Sequence, residues 1–226
     1  MPVRVPGRWT YRGERARADI LDVAARIAVS EGLHRVTLGR LAKAAGVSKS
    51  GLFEHFGSVE ELHASIVTDA VWRFERSVLV PARGVRTGMP ALYTLLHRWL
   101  VHMTDRAEAS AILLEVGPGR GRDVVAGFCA SSMSALRWEV SMTVVLGQIQ
   151  GCDAEDQLAF ELHAPIVAAS WWDRHLKSES AYVLGVRALD SVLNRVATPA
   201  GAEALAGVRA DEARWLERRA ESLEGF

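Results

Sequence analysis

Between Thr37 and Phe56 the chain reads TLGRLAKAAGVSKSGLFEHF, and this stretch restricts the possible folds more than any other. Leu38, Leu41 and Ala42 recur at helical spacing, Ala45-Gly46-Val47 interrupts them, and a second apolar set follows at Leu52, Phe53 and Phe56. Thr37 and Ser48 stand immediately before the two apolar sets, where a hydroxyl caps free backbone N–H groups. Each segment is too short to be stable alone in water, so both must be packed against other helices.

The flanking sequence supplies them. A first helix begins near Gly13, aligns Ile20, Ala24, Ile27 and Ala28, and stops at Gly32. A fourth opens at Ser58-Val59-Glu60-Glu61, a capping box, and continues through Leu62, Ile66, Ala70, Phe74 and Val78 until Pro81 to Met89 breaks it. Further helices follow. Pro90 opens one that carries Leu92, Leu95, Leu96, Trp99, Leu100 and Met103, and Ala107 to Glu115 forms a short one. Long ones span Asp123 to Ile149 and Glu155 to Leu176, the latter holding a disruptive Pro165. Tyr182, Val186, Leu189, Leu193 and Val196 form a seam at alternating four- and three-residue steps, and Ala202 to Leu223 is a tail helix rich in Ala, Arg and Glu. No strand alternation and no repeat is visible, so the expected class is all-α.

Charge divides along the chain. Residues 1–58 carry ten basic and five acidic side chains, a net of +5, whereas the whole chain sums to zero. A basic end joined to an acidic remainder suggests that one end meets a polyanion. Two short helices around a Gly-centred turn are the layout of a DNA-reading helix-turn-helix, whose second helix lies in the major groove. On that helix Lys49, Ser50, Gly51, Glu54 and His55 would face outward while Leu52 and Phe56 face the core. Gly51 costs roughly 1 kcal/mol inside a helix relative to Ala, which suggests a close approach by its backbone.

Other chemistries find little support. His97 and His102 are five apart, and Glu161-Leu162-His163 lacks a partner histidine, so no metal site is expected. Gly117 to Gly121 lacks the Lys-Ser/Thr of a phosphate loop, no Gly-x-Ser-x-Gly elbow occurs, and Cys129 has no evident base. No catalytic residue and no cofactor is therefore expected. Ala159 to Trp172 is interrupted by Glu161 and His163, too short and polar for a membrane span, and the N-terminus has no apolar signal core. Cys129 and Cys152 without metal spacing fit a reduced cytoplasm.

Arg12 to Thr68 resembles the DNA-binding domain of the TetR (tetracycline-repressor-like) transcriptional regulators. The resemblance rests on Glu31-Gly32, Thr37, Leu41-Ala42, Ala45-Gly46-Val47-Ser48, Phe53, His55-Phe56 and Ser58-Val59-Glu60-Glu61-Leu62, in that order. It implies a three-helix head on an all-helical regulatory and dimerisation body. The corresponding division is a flexible basic arm over 1–12, a helix-turn-helix domain over 13–58, a ligand-binding and dimerisation domain over 59–198, and a helical tail over 199–226. The DNA-binding set is Arg12, Thr37, Arg40, Ser48, Lys49, Ser50, Gly51, Phe53 and His55. The family usually places Tyr at the position of Phe53 and Lys at that of Val59, both commonly touching phosphates. Arg8, Arg12 and Arg15 are expected to compensate.

The same resemblance implies a homodimer on a palindromic double-stranded operator. Leu162, Ile166, Val167, Tyr182, Val186, Leu189 and Leu193 would be buried between subunits, as the last two helices of family members are. It also implies a pocket for a small, largely apolar effector, for which Trp72, Trp99, Met103, Phe128, Ser132, Met142, His163 and Trp171 are the candidates. The expected function is a cytoplasmic repressor released from its operator by that effector. The alternative is a ligand-independent helical dimeric adaptor with weakened DNA binding.

Overall fold

The computed structural model describes residues 11–105, 120–150, 154–176 and 181–224. Residues 1–10 of the arm expected over 1–12, and the short helix expected over 107–115, lie outside the described residues; residues 11 and 12 already belong to the first helix. Within them the fold is all-α: no strand occurs, and the one extended pairing is an isolated bridge between Ile149 and Ala197. Among the described residues no helix is long and apolar enough to cross a membrane, and no three metal-ligating side chains cluster. The chain divides into two compact units, residues 1–70 with 111–125, and residues 71–110 with 126–226.

The first unit is built from α1 (Tyr11–Glu31), a 3-10 turn (Leu33–Arg35), α2 (Leu38–Ala45), α3 (Lys49–Phe56) and most of α4 (Val59–Phe74). Its core joins Ile20, Leu21, Ala24 and Ile27 of α1 to Leu41, Leu52, Phe56, Leu62 and Ile66. Each such side chain gains about 1.5–3 kcal/mol on leaving water, enough to hold two eight-residue helices that could not persist alone. Two polar ties bind the helices across the core. Arg17 donates to Ser65 Oγ at 3.0 Å with its guanidinium over the Phe56 ring, and His63 Nε2 lies 2.8 Å from the Val36 carbonyl.

In the second unit α4 runs into a π-helical segment (Glu75–Leu79) and then α5 (Val80–Arg83). The break expected over Pro81 to Met89 comes after Arg83, and the helix passes Pro81 itself. The wider π turn, in which Val80 N–H reaches the Glu75 carbonyl, makes room for a ring that would clash in an α-helix. Next come α6 (Met89–Asp105), α7 (Arg120–Val145), α8 (Glu155–Leu176), α9 (Ala181–Val196) and α10 (Pro199–Glu224). α6 is central: Leu92, Leu95, Leu96 and Leu100 meet Leu136 and Val140 of α7, Leu162 and Ile166 of α8, Leu189 and Leu193 of α9, and Leu205 and Val208 of α10. α8 stays continuous through Pro165.

α10 is no loose tail. It begins at Pro199, three residues before the expected start, because Thr198 caps it through Gly201 N–H and proline suits a first helical position. Leu205, Val208 and Glu212 then line one face at three- and four-residue steps and are buried. An Ala-, Arg- and Glu-rich composition concealed that stripe. The unit boundary also falls at 70/71 rather than 58/59, since α4 contributes Leu62 and Ile66 to the first core and Phe74 to the second.

Candidate functional site

The turn between α2 and α3 is made by Gly46, which closes α2 in the left-handed conformation (φ 67°, ψ 28°) while its N–H bonds the Ala42 carbonyl. A side chain there would be strained, and this geometry sets the direction in which α3 leaves. Thr37 caps α2 by accepting from Arg40 N–H at 3.3 Å, and Ser48 caps α3 by accepting from Gly51 N–H at 3.0 Å.

On α3, Leu52 and Phe56 are buried, so Lys49, Ser50, Phe53 and Glu54 necessarily point outward. Thr37, Arg40 and Ser48 are exposed beside them. Ser50 Oγ donates to Ser48 Oγ at 3.3 Å, and Arg40 is paired with Glu31. His55 is half-buried, its ring edge-on to Phe56, and offers less to a partner than its outward reading suggested. Gly51 has a reason inside the chain: a Cβ there would sit 3.0 Å from the Ser48 hydroxyl, against the capping bond. The backbone of Arg12 belongs to α1, but its side chain and that of Arg15 lie outside the described residues, as does Arg8.

Of the effector candidates, Trp99, Phe128 and His163 come together around Phe74. The Phe74 ring meets Trp99 edge-on at 5.2 Å and Phe128 at 4.7 Å, and Trp99 faces His163 at 4.9 Å. Burial pushes the His163 pKa below 6.5, favouring its neutral form. Met103 belongs to the same core, and Ser132 is fully buried on α7 with no hydrogen-bond partner for its hydroxyl among the described residues. Met142 is half-buried outside this group. Trp72 and Trp171 are about half exposed, Trp72 at the end of α4 and Trp171 on α8.

The proposed dimer residues divide differently from expectation. Leu162, Ile166, Leu189 and Leu193 are buried in the core of their own chain, with Tyr182 and Val186 packed against it. The four leucine and isoleucine side chains are therefore used within their own chain. Spacing identifies an apolar stripe without saying which surface it meets. Val167, the remaining member of the expected set, is 43% exposed and lies on another apolar face of α8 and α9, with Phe160 70%, Trp171 53% and Trp172 43% exposed and Val183 and Leu184 similarly open. Pro165, Ala168, Trp172, Leu184 and Ala188 line a shallow apolar groove on it. The signal was present in the sequence: Phe160, Ala164, Val167 and Trp171 follow helical spacing one step out of phase with the buried set.

Residues 20–66 match the family described as bacterial regulatory proteins, tetR family. Over those residues the chain carries a TetR-family head. An uncharacterised HTH-type transcriptional regulator of Mycobacterium tuberculosis is 27% identical over 176 residues, covering 69% of this chain and 87% of the relative. Among solved structures, AibR in complex with isovaleryl coenzyme A and operator DNA superposes with a TM-score of 0.66 at 20% identity, over 78% of this chain and 97% of that one. FadR from Bacillus subtilis, bound to stearoyl-CoA, gives 0.66 at 14% identity, over 78% and 97%. TetR-family proteins are transcriptional regulators, not enzymes, and the three-helix head described above is their DNA-binding domain.

Proposed function

We propose that this TetR-family chain acts in the cytoplasm as a homodimeric repressor that binds a palindromic operator and is released by a small, largely apolar effector. The observation that carries the reading is α3, held by Leu52 and Phe56 with Lys49, Ser50 and Phe53 turned outward behind a glycine turn. Small and polar outward residues let a helix approach base edges, while the exposed Thr37 and Ser48 hydroxyls suit phosphates. Phe53 is 59% exposed, an apolar surface that contact with a sugar or a thymine methyl would cover.

Replacing Lys49 and Ser50 together by Ala is expected to weaken specific operator binding by about 1–3 kcal/mol per lost base contact. Replacing Arg8, Arg12 and Arg15 by Gln should instead weaken all duplexes alike and flatten the salt dependence. Fluorescence anisotropy against operator and random duplexes at two salt concentrations separates the two effects. Unchanged affinity in the α3 variant would overturn the assignment of the reading helix.

Two-fold symmetry requires a self-complementary face, and α8 and α9 present an exposed apolar surface that suits one. Trp172→Glu with Leu184→Glu should leave the exposed-site fold intact, convert the dimer to monomer in sedimentation, and reduce operator affinity by more than tenfold through loss of the second half-site. A dimer that survives both substitutions would place the interface elsewhere.

The aromatic group around Phe74, with the buried Ser132 hydroxyl one helical turn from Phe128, supports an effector with a large apolar portion. That AibR and FadR were solved with acyl coenzyme A thioesters, and SmeT with triclosan, accords with such a ligand. Binding would favour a state of the dimer with weaker operator affinity. Thermal shift with acyl coenzyme A thioesters and triclosan, followed by operator release, tests this.

A further inference from the structure

Along the flank of α7, the π segment, α5 and α6 border a cleft of about 370 Å³. Its floor is apolar and buried, made by Leu79, Ala82 and Leu95, and α7 supplies a wall through Trp138 and Glu139. Trp138 is 62% exposed, so most of its indole surface is open. Glu139 is half-buried, and its Oε2 is closed off from solvent with no hydrogen-bond partner among the described residues. A carboxylate oxygen left in that state costs free energy until something donates to it.

Arg83 lines the same cleft but does not offset this charge. It is paired with Glu75 at 3.9 Å, outside the lining, and 62% of its side chain is exposed. Burial raises the Glu139 carboxyl pKa above 4.5, and no neighbouring cation lowers it. The other polar side chains of the lining, Ser131 and Ser134, are exposed and neutral. One uncompensated acid and one open aromatic surface thus stand over an apolar floor.

We infer that this cleft binds a small organic ammonium: an N–H donates to Glu139 Oε2, the positive charge lies against the carboxylate and the Trp138 ring, and the hydrocarbon body rests on Leu79, Ala82 and Leu95. An ammonium supplies both things the carboxylate lacks, a donor and a counter-charge, and a charge-assisted bond of this kind is about twice as strong as a neutral one. Indole is the side chain whose face attracts a cation most strongly. A bare divalent ion is a poorer match, because it takes about six oxygen ligands and no three metal-ligating side chains gather among the described residues. The floor of the cleft belongs to the same core as the Phe74 group. The inference goes beyond the apolar-effector reading by assigning a charge and the α7 residue that recognises it, and it does not depend on operator release.

The test uses the full chain with phenethylammonium as probe, and phenethyl alcohol and phenylacetate as separate arms, by isothermal calorimetry near neutral pH. The ammonium should bind once per chain with a Kd below about 1 mM, the alcohol about tenfold more weakly, and phenylacetate not measurably. Glu139→Gln keeps the shape and removes the charge. It should weaken the ammonium by more than about tenfold and leave the alcohol within about twofold, while Trp138→Leu should weaken the ammonium by about threefold or more. Because Glu139 has no internal partner to lose, Glu139→Gln should hold or raise the unfolding midpoint, whereas removing a partnered carboxylate would lower it. Failure of the ammonium to saturate at about 5 mM, unchanged ammonium affinity in either variant, or a lowered midpoint in Glu139→Gln would each overturn the inference. Equal affinity for ammonium and alcohol would overturn it too, and would mark an unselective apolar cleft. Release of operator by apolar effectors is read separately, so none of these outcomes decides that reading.

Discussion

Replacing Glu212 by Ala is expected to lower unfolding free energy by about 3–5 kcal/mol, the cost of leaving buried charge without its partner. Glu212 is 5% exposed on α10. It accepts from Arg98 Nε and Nη2, and its Oε2 lies 2.8 Å from His97 Nδ1, while His97 Nε2 lies 2.8 Å from the Tyr182 hydroxyl. Burial and the nearby Glu212 and Asp190 charges push the Tyr182 phenol up to about 12, so it remains a neutral donor at any ordinary pH. One carboxylate thus connects α6, α9 and α10. Its removal orphans Arg98 and His97 together, whereas Glu203→Ala, on the exposed side of α10, should change stability by no more than about 0.5 kcal/mol.

The same carboxylate gives a pH dependence with a definite sign. Burial raises its pKa, but the hydrogen bonds from His97 and Arg98 and their charges outweigh this, and the folded value lies below 4.5. A depressed folded pKa means that the unfolded chain binds the proton more tightly. The stabilisation is therefore complete above pH 4.5 and disappears as pH falls through the folded pKa. Denaturant unfolding between pH 7 and 3 should show a loss for the native chain that Glu212→Gln lacks. Parallel curves would refute the assignment.

Gly201→Ala should destabilise by about 3 kcal/mol although alanine is the better helix former. A Cβ at Gly201 would stand 1.8 Å from the Gln148 carbonyl oxygen and 2.8 Å from its carbon, both backbone atoms that no rotamer change can remove. Gln148 cannot retreat cheaply. Its carbonyl accepts from Thr198 N–H at 3.1 Å, and its side chain accepts from Met89 N–H at 2.7 Å. Moving it would uncap the turn before α10 and the start of α6 together. Gly207, two turns along the same helix, has nothing within 4 Å of its Cβ position, and Gly207→Ala should stabilise by up to about 1 kcal/mol. Opposite signs at two glycines of one helix, read from chemical unfolding midpoints, are the diagnostic result. Equal effects would mean that α10 does not meet Gln148 as described.

Local order was legible without coordinates because it depends on neighbours in the chain. The caps at Thr37, Ser48 and Ser58, the turn at Gly46 and the division of α3 between buried Leu52 and Phe56 and outward Lys49 and Ser50 all follow from spacings of one to four residues. The outward face of α3 was legible for the same reason, apart from half-buried His55, whose ring turns toward Phe56.

What the sequence could not decide is which partner a face meets. Leu162, Ile166, Leu189 and Leu193 formed the most regular seam and proved to be the interior of their own chain, while Phe160, Trp171 and Trp172 were left outside. The contact of Gly201 with Gln148 and the junction of Glu212 with His97, Arg98 and Tyr182 join residues far apart in the chain. Periodicity reports the direction of a side chain about its own helix axis, and the sequence alone therefore determined the all-α class and the DNA-binding head. Only the tertiary structure decided what each face touches, because that depends on how helices distant in sequence close on one another.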